Sequence, residues 1–255
     1  MRSVVVITGL ALNMGLYGQA GREMTPTLGY LVDKSPEEEL AFRDKQEACK
    51  RFWEEQWAKP PGAERTVEEQ QRRDDCDEGM ESYWDIVGPG CSWYCGGGQD
   101  TLTASSELGS AEGRDFRAAN AHDLSYGTAW VEGVPGHGIG ESVTCHFPPV
   151  NPRITKIIVV NGLVRSEREW RENSRVKKLN MYLNDELYAV LLLEDTRREQ
   201  AFTFEPLGHG DRDNWKELEK MPWWTIKFEI AEVYEGEKYD HTAIAEIYFD
   251  GIDVH

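Results

Sequence analysis

No stretch of this 255-residue chain gathers lysine and arginine into a run. There are 28 basic residues against 46 acidic ones, and the formal charge is −18. Contact with phosphate backbones draws on clustered Lys and Arg, so the composition excludes nucleic acid as a partner and disfavours anionic membrane surfaces. Past residue 20 no segment reaches the roughly 18 apolar residues that a spanning helix needs, so no membrane insertion of the mature chain is expected. The six histidines form no metal signature. His122-Asp123 and His209-Gly210-Asp211 are isolated pairs, and a zinc site needs several ligands at set spacing. The chain has no G-x-S-x-G elbow, no internal repeat and no low-complexity segment. Carboxylate pairs carry no information when acids are this abundant. No residue pattern points positively to catalysis.

What is present begins with "MRSVVVITGLALNMGLYGQAG". A basic head at Arg2, an apolar run from Val4 to Leu16 and small residues up to Ala20 predict a secretory signal peptide over residues 1–20. The following "GREMTPTLGY" has no strand pattern. The protein is therefore expected to be secreted or periplasmic. Five cysteines in an exported chain suggest disulfides with one thiol left over. Cys145, in the alternating "SVTCHF", is expected to be a buried free thiol. The other four allow three connectivities, of which Cys49–Cys76 with Cys91–Cys95 is favoured.

Residues 21–85 are expected to form a charged, helical N-terminal region. Ser35-Pro36-Glu37-Glu38 is a helix start, with Ser35 capping, Pro36 in the first turn and Glu38 at the capping-box position. Phe42, Cys49, Trp53 and Trp57 recur at helical spacing and predict one apolar stripe, which Pro60-Pro61-Gly62 ends. A second helical piece, "ERTVEEQQRRDD", follows. The excess acid here reads as a solvated face, with a protein partner as the sharper alternative.

From Trp84 onward "ITKIIVV", "KLNMYLN", "LYAVLLL", "AFTF", "WWTIKFEI" and "AIAEIYFDG" are short β-type runs between turn residues. In "TIKFEI" Ile226, Phe228 and Ile230 alternate with Thr225, Lys227 and Glu229, giving one buried and one wet face. No long helical pattern interrupts these runs. The expected fold is mainly β, a jelly-roll sandwich over residues 86–255 with a small helical N-terminal appendage.

Within it, "PGHGIGESVTCHF" places Gly136, Gly138 and Gly140 at alternate positions before a strand. A dinucleotide fingerprint needs G-x-G-x-x-G ahead of a helix, and a P-loop needs Lys-Ser/Thr, so this is a tight loop feeding an inner strand. Aromatics beside glycine and proline are the livelier signal. Indole faces stack on sugar C–H faces, while neighbouring polar groups bind hydroxyls. The candidate glycan contacts are Trp93, Tyr94, Trp130, His137, Arg165 and Trp170, gathered on loops at one end of the sandwich.

In order along the chain, "CSWYCGGG", "ASSEL", "ANAHDLSYGTAWVEG", "GHGIGE", "IVVNGLVRS", a W-x-x-N-S-R-V-K-K-L stretch and "AIAEIYFDG" resemble the NADase-type glycan-binding domains. These modules are similar to the translocation domain of NAD glycohydrolases and belong to the wider discoidin, or galactose-binding-like, group. The resemblance runs from about Gly90 to His255. It implies a carbohydrate-binding sandwich with no enzymatic activity and no NAD. It further implies a structural calcium ion where an early loop meets the last strand, held by Asp123, Thr128 and Glu246 with carbonyls near Ala119 and Ala129. The rival expectations are a glycoside or NAD hydrolase, and a scaffold whose acidic helices bind another protein.

Overall fold

A computed structural model describes residues 21–60, 62–76, 82–86, 93–98, 101–111 and 113–254. The expected signal peptide, and Cys91 with its expected bridge to Cys95, lie outside the described residues.

The chain opens with β1 (Arg22–Met24) and β2 (Thr27–Leu31), followed by α1 (Pro36–Trp57) and α2 (Val67–Cys76). Then come β3 (Thr101–Ala104), β4 (Leu108–Ala111), β5 (Arg114–Phe116), β6 (Trp130–Val131), β7 (Ser142–Phe147) and β8 (Ile154–Asn161). After the short α3 (Glu167–Glu172) follow β9 (Ser174–Leu183), β10 (Glu186–Leu192), β11 (Arg198–Leu207), the single turn α4 (Trp215–Leu218), β12 (Trp224–Tyr234) and β13 (Thr242–Gly251).

The local signals act as the sequence suggests. Ser35 Oγ accepts from the Glu38 amide at 3.1 Å, and the Glu38 carboxylate accepts from the Ser35 amide at 3.2 Å, closing the capping box. Cys49 and Cys76 are bridged, so α1 and α2 form a stapled hairpin. The predicted stripe holds at Phe42, Cys49 and Trp53, which are half-buried, but not at its end. Phe52 is the buried residue of α1, under the Arg72 guanidinium, while Trp57 is 78% exposed.

The strands form a mainly β jelly-roll sandwich. One layer runs β2-β11-β8-β13, with β6 on the far edge of β13. The other runs β3-β7-β12-β9-β10-β1, and a short parallel contact between β13 and β9 joins them. Alternation sorts the faces. Ile157 and Val159 of β8, Phe202 and Phe204 of β11, and Ile247 and Phe249 of β13 face Cys145, Met181, Ile226 and Phe228 across the main core. The Cys145 thiol is buried there, as expected. "GREMTPTLGY", patternless in the sequence, forms β1 and β2. They pair with β10 and β11, so this segment adds a strand to each layer.

The outer face of the β2-β11-β8-β13 layer carries a second, smaller core. Val160, Ala243 and Ala245 lie under the 114–131 segment through Phe116, Tyr126 and Ala129. That cover is partial, and the part of the face it leaves open positions the site.

Candidate functional site

The open part of that face is a groove of about 920 Å³. Alternate residues of four adjacent strands pave it: Thr27 and Gly29 of β2, Glu199, Ala201 and Thr203 of β11, Lys156 and Ile158 of β8, and Tyr248 and Asp250 of β13. Tyr126 from the covering segment and Tyr30 from β2 form its walls. Its centre is Glu199. One carboxylate oxygen accepts hydrogen bonds from the Tyr126 and Tyr248 hydroxyls, at 2.6 Å each, and the other accepts from the Tyr30 amide at 3.1 Å. Burial, and then the Glu199 carboxylate itself, push both phenols far above their ordinary pKa. They therefore stay neutral donors across the physiological range. The close approach of β2 needs Gly29, because a Cβ there would stand 2.7 Å from Glu199 Oε2. Tyr30 lies 6.2 Å from Tyr126, ring centre to ring centre, and is 53% exposed, so it offers a face to solvent. At the rim Lys156 pairs with Asp250 at 2.7 Å.

The six expected glycan contacts do not come together. Trp93 and Trp130 are core residues, 1% and 0% exposed. Their indole N–H groups donate to the carbonyls of Pro152 and Ser106, so neither has a free face or a free donor for a sugar. Tyr94 lines the groove, and its hydroxyl accepts from the Phe249 amide at 2.9 Å. His137 sits in the glycine loop, with Nδ1 3.1 Å from Ser174 Oγ and from the Asp240 carbonyl. The φ angles of Gly136, Gly138 and Gly140, at +94°, +64° and +92°, are those of the tight loop into β7. Trp170 donates to the Asn161 carbonyl and lies under the Arg175 guanidinium. Arg165 stands in a separate cavity of about 350 Å³ beside the groove, with its guanidinium over the Trp84 ring.

The three expected metal ligands do converge. Thr128 Oγ1 donates to Asp123 at 2.7 Å. Glu246 is fully buried where the β13–β8 register slips, and its Oε2 accepts from the Ser125 amide at 3.2 Å. Its Oε1 has no hydrogen-bond partner. The nearest cationic candidate, His122 Nδ1, is 3.9 Å away and engaged with the Ile247 carbonyl. Burial first, and the neighbouring Asp123 charge second, hold the Glu246 carboxyl well above its ordinary value. Of the expected carbonyls, Ala119 accepts from the His122 amide and Ala129 from the Asn120 side chain, which leaves each a second lone pair. Among the described residues no three His, Cys, Asp or Glu side chains group around one metal position.

Sequence reasoning missed Glu199, Tyr30, Tyr126 and Tyr248. One signal was there. In "AEIYFDG" Glu246, Tyr248 and Asp250 alternate with Ile247 and Phe249, marking an outer face that is polar and aromatic.

Residues 93–250, more than half of the chain, match the family model of the NAD glycohydrolase translocation F5/8 type C domain. No curated protein matches the chain. Among solved structures it is similar to the CBM32-1 and CBM32-2 domains of ZmpB from Clostridium perfringens, at 14% identity and a TM-score of 0.41, over 60% of this chain and 34% of that one. It thus spans about a third of the ZmpB chain. The family 32 CBM of NanJ from the same organism, solved with galactose, is 16% identical at a TM-score of 0.39, over 58% and 91% of the two chains. A further Clostridium perfringens module, CpGH89CBM32-5, solved with GalNAc-β-1,3-galactose, is 15% identical at a TM-score of 0.40, over 59% and 94%.

Proposed function

Because the chain belongs to the family of NAD glycohydrolase translocation F5/8 type C domains, we propose that it is a non-catalytic carbohydrate-binding module of an exported protein. The groove carries this reading. Its volume is in the range of small-ligand sites, and it combines an exposed tyrosine face with hydroxyl, carboxylate and ammonium groups at the rim. Saccharides ask for that mixture, with C–H faces against an aromatic ring and hydroxyls against polar tips. A hydrolytic role is disfavoured by Glu199. Its carboxylate already accepts from two phenols and an amide, which hold it as a structural acceptor rather than a free general base. An export route agrees with the amino-terminal sequence, and no helix among the described residues is long and apolar enough to cross a membrane.

Calcium belongs to the same proposal as a structural ion. Two carboxylates, a hydroxyl and nearby carbonyls form an all-oxygen set suited to Ca²⁺, and the orphaned Glu246 Oε1 asks for a cation. Asp123, Thr128 and Glu246 would hold the ion and tie the 119–129 loop to β13. The ion would contribute stability only. On the helical hairpin, exposed Trp57, Leu40 and Val67 favour a protein partner there as a second role.

The test is a glycan array on the mature protein beside a Tyr30→Ala variant. Tyr30 is exposed, so the variant folds, and it is expected to lose the wild-type glycan signal. Silence of the folded wild type across host and bacterial glycans would sink the proposal, and steady NAD cleavage would replace it with a hydrolase.

A further inference from the structure

Beside the groove, sharing Lys34 with it, is the cavity of about 350 Å³ that holds Arg165. Its cations stand out in a chain of charge −18. The Arg165 guanidinium lies 5.5 Å from the Trp84 ring centre. Among the described residues it has no hydrogen-bond acceptor and no carboxylate within 4 Å. Stacking occupies the flat face of a guanidinium and leaves its in-plane N–H fork free. Lys34 likewise has no ion pair within 4 Å among the described residues. Its ammonium donates to the Tyr83 carbonyl and sits 4.3 Å from the Tyr83 ring centre. Partial burial lowers its pKa, against the opposing pull of Asp85 and Glu38. Arg114 forms the third side, fixed at 2.8 Å by Glu169, with most of its N–H donors still unspent. The acids that line the cavity are Glu169, held by Arg114, and Glu39, half-buried on α1.

We infer that the cavity receives the acidic group of a charged sugar, a carboxylate or a sulfate, and that the module selects acidic over neutral saccharides. The inference rests on the groove as the saccharide site, since the two cavities share Lys34 and the neutral part of the ligand lies on Tyr30. The planar fork of Arg165 matches the paired oxygens of either acid, and the Trp84 ring beneath its guanidinium favours its placement over the cavity. Lys34 adds a point charge on the groove side. The chain as a whole repels an acidic glycan, so the preference has to arise from these short-range contacts.

The experiment is calorimetric titration of the full chain with two matched probe pairs. One pair is an oligogalacturonate and the same oligomer with its carboxyls reduced to galactose. The other is a sulfated galactan oligomer and its desulfated form. At least one charged probe is expected to bind about tenfold or more tighter than its neutral twin, the scale of one or two charge-assisted hydrogen bonds. Arg165→Gln should erase that preference and leave neutral binding unchanged. Arg165→Lys should restore part of it, and Tyr30→Ala should weaken both members of a pair. Equal binding within both pairs, or a preference that survives Arg165→Gln, overturns the inference while the groove stands. If no probe binds the folded wild type, the groove falls and takes the inference with it.

Discussion

Replacing Trp130 by alanine separates a core indole from a ligand platform. The side chain is wholly buried, and its N–H donates to the Ser106 carbonyl at 2.9 Å. Burying an indole removes on the order of 200 Å² from water, which at roughly 25 cal/mol per Å² gives about 5 kcal/mol as an upper figure. Truncations of buried Phe or Trp to Ala fall at about 3–5 kcal/mol, because the site relaxes only partly around the cavity. For a domain of this size that corresponds to a fall in melting temperature of roughly 6–20 °C. Trp130→Phe keeps most of the ring and loses the donor. The Ser106 carbonyl is then left unpaired, at a cost of about 1–2 kcal/mol. Thermal and urea melts of the two variants should rank alanine well below phenylalanine and phenylalanine slightly below wild type. Glycan retention per folded molecule should be unchanged, since Trp130 does not line the groove. An alanine variant melting within about 2 °C of wild type, with retention lost, would refute the core assignment.

Three further outcomes follow from features on other faces. Chelation should lower the wild-type melting temperature, and added calcium should restore it, while Glu246→Ala should respond to neither; a wild-type midpoint that chelator does not move, with no metal by elemental analysis, removes the ion. Hydrogen bonds from Arg153 at 2.6 and 3.2 Å hold the Asp253 carboxyl below its ordinary 3.8. A carboxyl so lowered stabilises the fold above its ordinary value and loses that effect as pH falls through the lowered one. Asp253→Asn should therefore melt below wild type at pH 7, with the two curves converging in acid below pH 3.8; a gap constant with pH would contradict this. Reducing Cys49–Cys76, which closes a loop over a separation of 27 residues, removes about 3–4 kcal/mol of chain-entropy constraint in the loop model. The α1–α2 hairpin should lose helical circular dichroism while the sandwich melt stays put.

How much of this was legible follows from the reach of each interaction. The Ser35–Glu38 box spans four residues and was plain in the sequence, and so were β8 to β13, whose alternation is set within a few positions. β1 and β2 were hidden because they are short edge strands whose identity comes from β10 and β11, more than 160 residues away. Trp93 and Trp130 carried a misleading signal. Glycine neighbours mark a turn in the backbone, but the direction of an indole near a turn is decided by packing, which here is inward. Glu246 stood out because a lone Glu in an apolar run is conspicuous wherever it lies, while Asp123 and Thr128 were named only through the family resemblance. Glu199 was not found, because it looks ordinary until register sets it beside Tyr126 and Tyr248 from distant segments.

β1 and β2 also set an order of events. Only Thr25 and Pro26 separate them, yet they attach to strands in opposite layers, so this segment acts as a clasp across one side of the sandwich. Its pairing positions are Ala189 to Leu191 and Arg198 to Ala201. On a growing chain this segment therefore waits for most of the strands that follow it before it finds a partner. Such non-local closure is slow, and it leaves the early segment accessible in the meantime. Because Thr27, Gly29 and Tyr30 wall the groove, the pocket comes into being with that final closure. A chain stopped short of β11 would lack the groove, so on the proposed reading retention on a saccharide surface would also gauge complete folding.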